Sequence, residues 1–296
     1  MPLMSVVMPA RNAKATLAAT LDSLVQQSCK DFEVILVDDA STDETPMLAE
    51  AYSDRLSIRV ISNRENQGVA KSINIGLSQG DSEFVVRLDS DDLARPDRLQ
   101  KQLDFMRAQP QIDVCGSHVE IFSDEDAQRQ VLAHPTSNAG IKTAFVQRCA
   151  IAHPSVMARR SFYDSVGTYD PRFDFAEDYE LWCRGALLGK QFANIPETLT
   201  YYRRHAGQVS KQKAQLQFSR DLAIKNKYLA GWLDGVPAQH LAEFLSLSTQ
   251  FPTKQLAHAV LVQCTAAMLH LARRMPDEAE YANIVAGSIY RHLGQA

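Results

Sequence analysis

Four short β-branched runs, residues 4–8, 32–37, 56–61 and 84–88, open the chain, and between them lie segments with helical spacing, among them 14–27 and 69–77. Short runs of this kind, bounded by turn residues, read as buried strands, and the segments between them as helices packed on a sheet. Strand, helix, strand in regular succession predicts a parallel sheet wound by right-handed crossovers, an α/β fold. Pro9, which cannot donate to a ladder, is expected to end the first strand.

Two of these strands end in acid. Val37 is followed by Asp38-Asp39-Ala40-Ser41-Thr42-Asp43, and Leu88 by Asp89-Ser90-Asp91-Asp92. Ligands of open α/β sheets bind beyond the carboxyl ends of the strands, and crowded like charges are costly there unless a cation or donors offset them. Mn2+ or Mg2+ takes carboxylate oxygens and shares them with substrate phosphates, so the second cluster points to a metal–diphosphate site. The competing reading is a solvated turn, since Asp and Ser close turns on their own backbone. Asp38 and Asp43 read equally as turn or helix-capping residues.

Composition narrows the classes. At 296 residues and 45% hydrophobic content, the chain can hold one large α/β domain and an appendage. A net charge of -4 provides no basic field, so nucleic acid is not expected as a partner. Five scattered cysteines without a CxxC pair suggest reduced thiols and a cytoplasmic protein. The apolar start lacks a basic flank, which is wrong for a signal peptide. The uncharged stretch 255–272 carries His258, Gln263, Cys264, Thr265 and His270, and reads as a buried or amphipathic helix rather than a membrane span. With no GxGxxG after the first strand and no GxxxxGK[ST], a dinucleotide dehydrogenase and a P-loop NTPase are both disfavoured.

Five motifs in order give these signals a common meaning: Ser5-Val6-Val7-Met8-Pro9; Val37 to Asp43; Asn66-Gln67-Gly68 with Asn74 and Gly76; Asp89-Ser90-Asp91-Asp92; and Ala176-Glu177-Asp178-Tyr179-Glu180-Leu181-Trp182. From about Ser5 to His205 the chain resembles the glycosyltransferases of family 2, which have the GT-A fold and use nucleotide-sugar donors. The resemblance implies that Asp39 contacts the donor's base, most often uracil, beside Pro9 and Arg11. Arg11 stands where the family often carries a stacking aromatic, and a guanidinium plane can stack in its place. Ile73 precedes Asn74 where an arginine is common, leaving Lys71 as the nearest cation for the diphosphate. Asp91 is implied as the ligand of Mn2+ or Mg2+, Asp89 as facing the ribose or sugar, and Asp92 as a supporting carboxylate.

A sugar hydroxyl is a poor nucleophile, so transfer with inversion needs a base beside the acceptor and charge stabilisation on the departing diphosphate. By the same resemblance Asp178 is the base, and Glu177 orients it or binds the acceptor. His153 reads as a contact to a sugar or acceptor hydroxyl or as a structural histidine, and Trp182 as a sugar platform or a core residue. In Tyr202-Arg203-Arg204-His205, His205 is implied as a metal ligand and Arg203 as a diphosphate contact, with surface-strand basics as the alternative.

Beyond His205 the pattern turns helical over 211–229, 238–247, 254–271 and 276–292, so the expected division is a GT-A domain over 1–206 and a helical extension over 207–296. Between Arg203 and Leu229 seven basic residues face Asp221 alone, which reads as a solvated helix face or as a surface for an anionic membrane or a lipid-diphosphate acceptor. The expected protein is an inverting, metal-dependent glycosyltransferase. It would take a nucleotide-sugar donor, with UDP first, and a glycan or lipid-linked acceptor in surface polysaccharide synthesis, and it could touch the inner membrane face or form a homo-oligomer. The rival from another class is a non-catalytic nucleotide- or glycan-binding protein of the same fold. A sugar nucleotidyltransferase lacks here its Gly-rich basic loop.

Overall fold

The computed structural model describes residues 2–125, 127–204, 214–246 and 254–293. Its first part follows the pattern of the sequence: β1 (Met4–Ala10), α1 (Leu17–Val25), β2 (Phe32–Asp38), α2 (Thr45–Glu50), β3 (Ile58–Ser62), α3 (Val69–Ser78) and β4 (Phe84–Arg87). These strands lie side by side in the order β3-β2-β1-β4, all parallel. Every residue of β2 and β4 is buried, as expected of strands with helices on both faces. The chain steps outward from β1 to β3 and returns to the other side of β1 for β4. Connections therefore diverge between β1 and β4, and a crevice opens at their carboxyl ends.

Pro9 does not end β1. The strand runs to Ala10, with Pro9 opposite Val37 of β2. Pairing with β4 stops at Val7, so Pro9 lies where one side of β1 has no ladder to satisfy.

The second part contains β5 (Leu93–Ala94), α4 (Arg98–Ala108), β6 (Val114–Phe122), β7 (Gln130–Leu132), α5 (Asn138–Ala144), β8 (Met157–Arg159), α6 (Arg160–Val166), α7 (Glu177–Leu187) and β9 (Phe192–Arg203). The sheet continues β4-β8-β6-β9-β5, with β7 on β6. Here it is mixed: β8 is antiparallel to both β4 and β6, while β6 and β9 are parallel. Pro196 lies inside one continuous β9, where a register shift beside Ser117 and His118 absorbs it. The polar stretch 123–136 contains the short exposed β7, and 138–144 forms α5, which no sequence signal had marked.

The chain ends in α8 (Ala214–Leu233), α9 (Leu241–Leu245), α10 (Lys254–Gln263), α11 (Thr265–Ala272) and α12 (Glu278–Leu293). Ile224, Tyr228, Leu229 and Leu233 of α8 join one buried cluster with Phe145, Phe162, Tyr179 and Trp182. Full burial of each large side chain is worth about 1.5–3 kcal/mol, so the extension is held by the same core as the sheet. The second cluster lies on the other face, between the sheet and α1, α2 and α4. The stretch 255–272 breaks at Cys264, its two helices bent by 56°, and among the described residues no single helix is long and apolar enough to cross a membrane.

Candidate active site

At the crevice, the loops after β1 and β2 are laced together. Asn12 donates its backbone N–H to Ser41 Oγ and accepts from Thr42 N at 2.8 Å, while Arg11 donates to the Asp39 carbonyl at 3.2 Å. Asn12 and Ala40 both take positive φ, 50° and 55°, which this pairing stabilises. Asp38 closes a turn onto Ser41 N, and Asp43 accepts from Lys14 N and Thr45 N, so both fill the turn and capping roles.

Asp39 is buried and heavily used. Its carboxylate accepts from Asn63 Nδ2 at 2.9 Å, Gln67 N at 2.7 Å and Gly68 N at 3.0 Å. Three of roughly four acceptor positions are thus spent on the loop entering α3, leaving one for a ligand. Gly68 takes φ 87°, and a Cβ there would sit 2.2 Å from Asp174 Oδ2. Gly68→Ala is therefore expected to cost about 2 kcal/mol from backbone and steric strain together. A thermal scan should show the midpoint falling by several degrees; an unchanged midpoint would refute the constraint. Lys71 is exposed on the first turn of α3, with Gln67 Oε1 3.4 Å away.

The second acidic loop is organised by a residue that the sequence analysis passed over. Arg87 ends β4 with its guanidinium buried, 1% exposed. It donates to the carbonyls of Val7 and Leu88 at 2.9 Å, to Asp89 Oδ1, and through Nε to His153 Nε2 at 3.2 Å. Although burial works against its charge, Asp89 and its other partners raise its pKa above the ordinary arginine value. Asp89 is thereby fixed at the crevice, still 32% exposed.

Asp92 is fully buried. Oδ1 accepts from Arg203 N at 2.8 Å, and Oδ2 has no partner. Burial first, then the charges of Asp89 and Asp91, push its pKa well above the usual carboxylate range. Arg203 is committed to the protein: Nε donates to the Asp91 carbonyl at 2.7 Å, and the guanidinium pairs with Asp124 and lies 4.7 Å from the Phe122 ring. Both residues tie the end of β9 to the acidic loop, so Arg203 braces Asp91 where a diphosphate contact had been expected. His205 lies outside the described residues. Among those described, no three His, Cys, Asp or Glu side chains converge as a complete metal cage.

Across the crevice, α7 opens with Glu177 and Asp178. Asp178 Oδ1 accepts from Tyr179 N at 2.7 Å, and Oδ2 accepts from Cys149 Sγ at 3.7 Å. Cys149 stays a protonated donor, because burial and then Asp178 raise its pKa well above the thiol value. Burial raises Asp178 to about 6; Asp221 and Asp89 add to the rise, and the Tyr179 N–H opposes it. Asp89 and Asp178 thus act on each other across the site. Glu177 is pushed up to about 8, by burial and then by Asp178.

His153 bridges the two sides. Burial and then Arg87 hold its pKa well below the imidazole value, so it is neutral. Arginine only donates, which makes His153 Nε2 an acceptor, shared with Tyr169 OH at 2.9 Å. The ring proton then sits on Nδ1, 3.7 Å from Glu177 Oε1. His153 is a structural link between the two sides. Trp182 is 0% exposed, packed against His153, Phe162 and Tyr169. It is a core residue, and no sugar can stack on it.

Part of the basic stretch is engaged within the protein, while Arg204 and Lys227 stay exposed. Arg220 reaches the Asp174 carbonyl, the buried Lys225 donates to Ser246 Oγ at 3.1 Å, and Lys227 meets Glu180 at 3.4 Å. Arg203, Arg220, Lys225 and Lys227 therefore do not form one open cationic face; Lys211 and Lys213 lie outside the described residues.

The chain is similar to known proteins in sequence and in fold. Residues 5–167 match the family described as Glycosyl transferase family 2. The bifunctional glycosyltransferase pgtA of Dictyostelium discoideum is 28% identical over 68% of this chain, which spans 31% of pgtA's length. The Escherichia coli UDP-Glc:alpha-D-GlcNAc-diphosphoundecaprenol beta-1,3-glucosyltransferase WfaP is 32% identical over 72% of this chain and 82% of its own. Among solved structures, S. aureus TarS 1-349 in complex with UDP superposes with TM-score 0.63 at 18% identity, covering 99% of this chain and 92% of that one. The mannosyltransferase PcManGT from Pyrobaculum calidifontis, in complex with GDP-Man and Mn2+, gives TM-score 0.61 at 17% identity over 100% of this chain and 88% of its own. The fold is GT-A, and the chain belongs to glycosyltransferase family 2.

Proposed function

We propose that the protein transfers a sugar, with inversion, from a UDP-sugar to a hydroxyl of a lipid-linked glycan during surface polysaccharide synthesis. The observation that carries this reading is the pair of faces at the crevice: Asp89 and Asp91 beyond β4, and opposite them Asp178, whose carboxyl is raised to about 6. WfaP is named for a UDP-sugar donor and a diphosphoundecaprenol acceptor, and TarS binds UDP, which supports extending both to this chain. A lipid-linked acceptor would bring the enzyme to the membrane surface.

Asp178 takes the proton of the acceptor hydroxyl, whose oxygen then attacks the anomeric carbon as the bond to the diphosphate breaks. A base with a pKa near 6 is ionised at neutral pH yet still basic enough to assist. Glu177 is protonated under the same conditions. Its Oε1 faces the His153 Nδ1–H, so the proton belongs on Oε2, which has no partner within the protein. As a neutral acid it places no second charge beside Asp178. Asp39 keeps one acceptor position for the base, with Pro9 and Arg11 beside it, and Lys71 in the first turn of α3 serves the diphosphate.

The acidic loop suits a hard cation. Its side chains are carboxylates, Asp89 and Asp91 add to the rise that burial gives the pKa of Asp92, and Asp92 Oδ2 has no partner among the described residues, the kind of oxygen-rich site that hard cations share with substrate phosphates. Asp91 would hold Mn2+ or Mg2+, with His205 as a further ligand, and the ion would supply charge stabilisation to the departing diphosphate.

Calorimetry of UDP and GDP, each with Mn2+ and with EDTA, tests the donor side. UDP is expected to bind with Mn2+ and to lose at least about tenfold in affinity with EDTA or in Asp91→Ala. Equal binding in EDTA, or an unaffected Asp91→Ala, would remove the metal assignment, and preference for GDP would replace the base. Turnover is followed as UDP release from UDP-glucose with GlcNAc-diphosphoundecaprenol.

A further inference from the structure

The loop that delivers Asp178 is gripped from two directions. Phe175, three residues before the base, takes φ 75°, a left-handed conformation that a bulky L residue keeps only when its surroundings impose it. On one side, Asp174 Oδ1 accepts from Ala70 N at 3.0 Å, and its Oδ2 occupies the space that a side chain at Gly68 would fill. The loop therefore rests on the amino end of α3, the segment that Asp39 fastens through Gln67 and Gly68. On the other side, Arg220 of α8 donates to the Asp174 carbonyl, and its guanidinium lies 5.4 Å from the centre of the Phe175 ring. One guanidinium thus holds both the backbone before the strained residue and the strained side chain.

We propose that Arg220, with Asp174, is a positioning residue for the catalytic base: the C-terminal helix α8 clamps residues 174–176 in their left-handed turn and so sets Asp178 at the crevice. Arg220 lies beyond the segment that matches the family, so this assigns the extension a part in the reaction besides filling the core. The same Asp174 carboxylate joins the base-bearing loop to the donor-side motif Asn66-Gln67-Gly68. This inference rests on Asp178 as the base.

The first readout does not depend on activity. In Arg220→Ala, amide hydrogen exchange is expected to accelerate about tenfold or more in peptides covering 172–180, and also in 66–71, because Ala70 loses its partner when Asp174 is released. Turnover should fall about ten- to a hundredfold, the scale of a roughly 1 Å misplacement, with the affinity for UDP within about twofold of native. Arg220→Lys, which keeps the charge but not the fork, should recover part of the rate. Phe175→Gly in the Arg220→Ala background should recover more, since glycine adopts positive φ without a clamp. Native exchange in both peptides of Arg220→Ala would overturn the proposal. So would a double variant no faster than Arg220→Ala, or a parallel loss of UDP affinity, which would mark a general structural role. If Asp178→Asn retained transfer, the base assignment would fail while the exchange data still judged the clamp.

Discussion

Asp178→Asn is expected to lower transfer by about 10²–10⁴-fold, the usual contribution of a positioned base, while UDP binds as it does to the native protein. The amide has the shape of the carboxylate and can still accept from the Tyr179 N–H, so the amino end of α7 stays capped. What it lacks is the capacity to take a proton. The pH profile gives the same assignment a second signature. Burial raises Asp178 to about 6, so the ionised form, and with it the rate, is lost as pH falls through about 6. An exposed aspartate would place that limb near 4. Glu177, raised to about 8 by burial and then by Asp178, gains a second buried charge beside the base as pH rises through that value, which adds an alkaline limb. Native transfer by Asp178→Asn, or an acid limb near 4, would sink the assignment.

Arg87→Met carries the largest expected effect on stability. The native guanidinium is buried and satisfies two backbone carbonyls, Asp89 and His153 together. Methionine fills much of the volume but removes the guanidinium donor from the Val7 and Leu88 carbonyls, leaves His153 Nε2 with Tyr169 OH alone, and leaves Asp89 without its counter-ion. Removing one partner of a buried pair typically costs 3–5 kcal/mol, so the thermal midpoint should fall by about ten degrees. Arg87→Lys should recover little of this, because one ammonium cannot serve partners on Val7, Leu88, Asp89 and His153 at once. A methionine variant as stable as the native protein would show that the hub is dispensable.

Much of the donor side is legible in the sequence. The strands that carry Asp39 and Asp89 announce themselves by short β-branched runs, and their acids follow within two residues. The place of Asp178 in the first turn of a helix is legible as well, within an ordered series of motifs. Other site residues are misread for a local reason. Arg203 looks like an available cation at the end of a strand, yet Asp124, the Asp91 carbonyl and the Phe122 ring surround it. Trp182 is not misread, since the core is its commoner place, and the packing of His153, Phe162 and Tyr169 around it settles that reading.

The sequence by itself determines the alternation of strands and helices that opens the chain and which strand ends carry acid, since helix and strand periodicity are properties of neighbours along the chain. Tertiary structure alone decides how those acids are held. Arg87 meets His153 across 66 residues, Cys149 meets Asp178 across 29, Asp174 meets Ala70 across 104, and Arg220 meets Asp174 across 46. None of these pairs has a local pattern, because a buried arginine and an exposed one are spelled alike; the difference lies in what the closed sheet and the packed helices bring against each side chain.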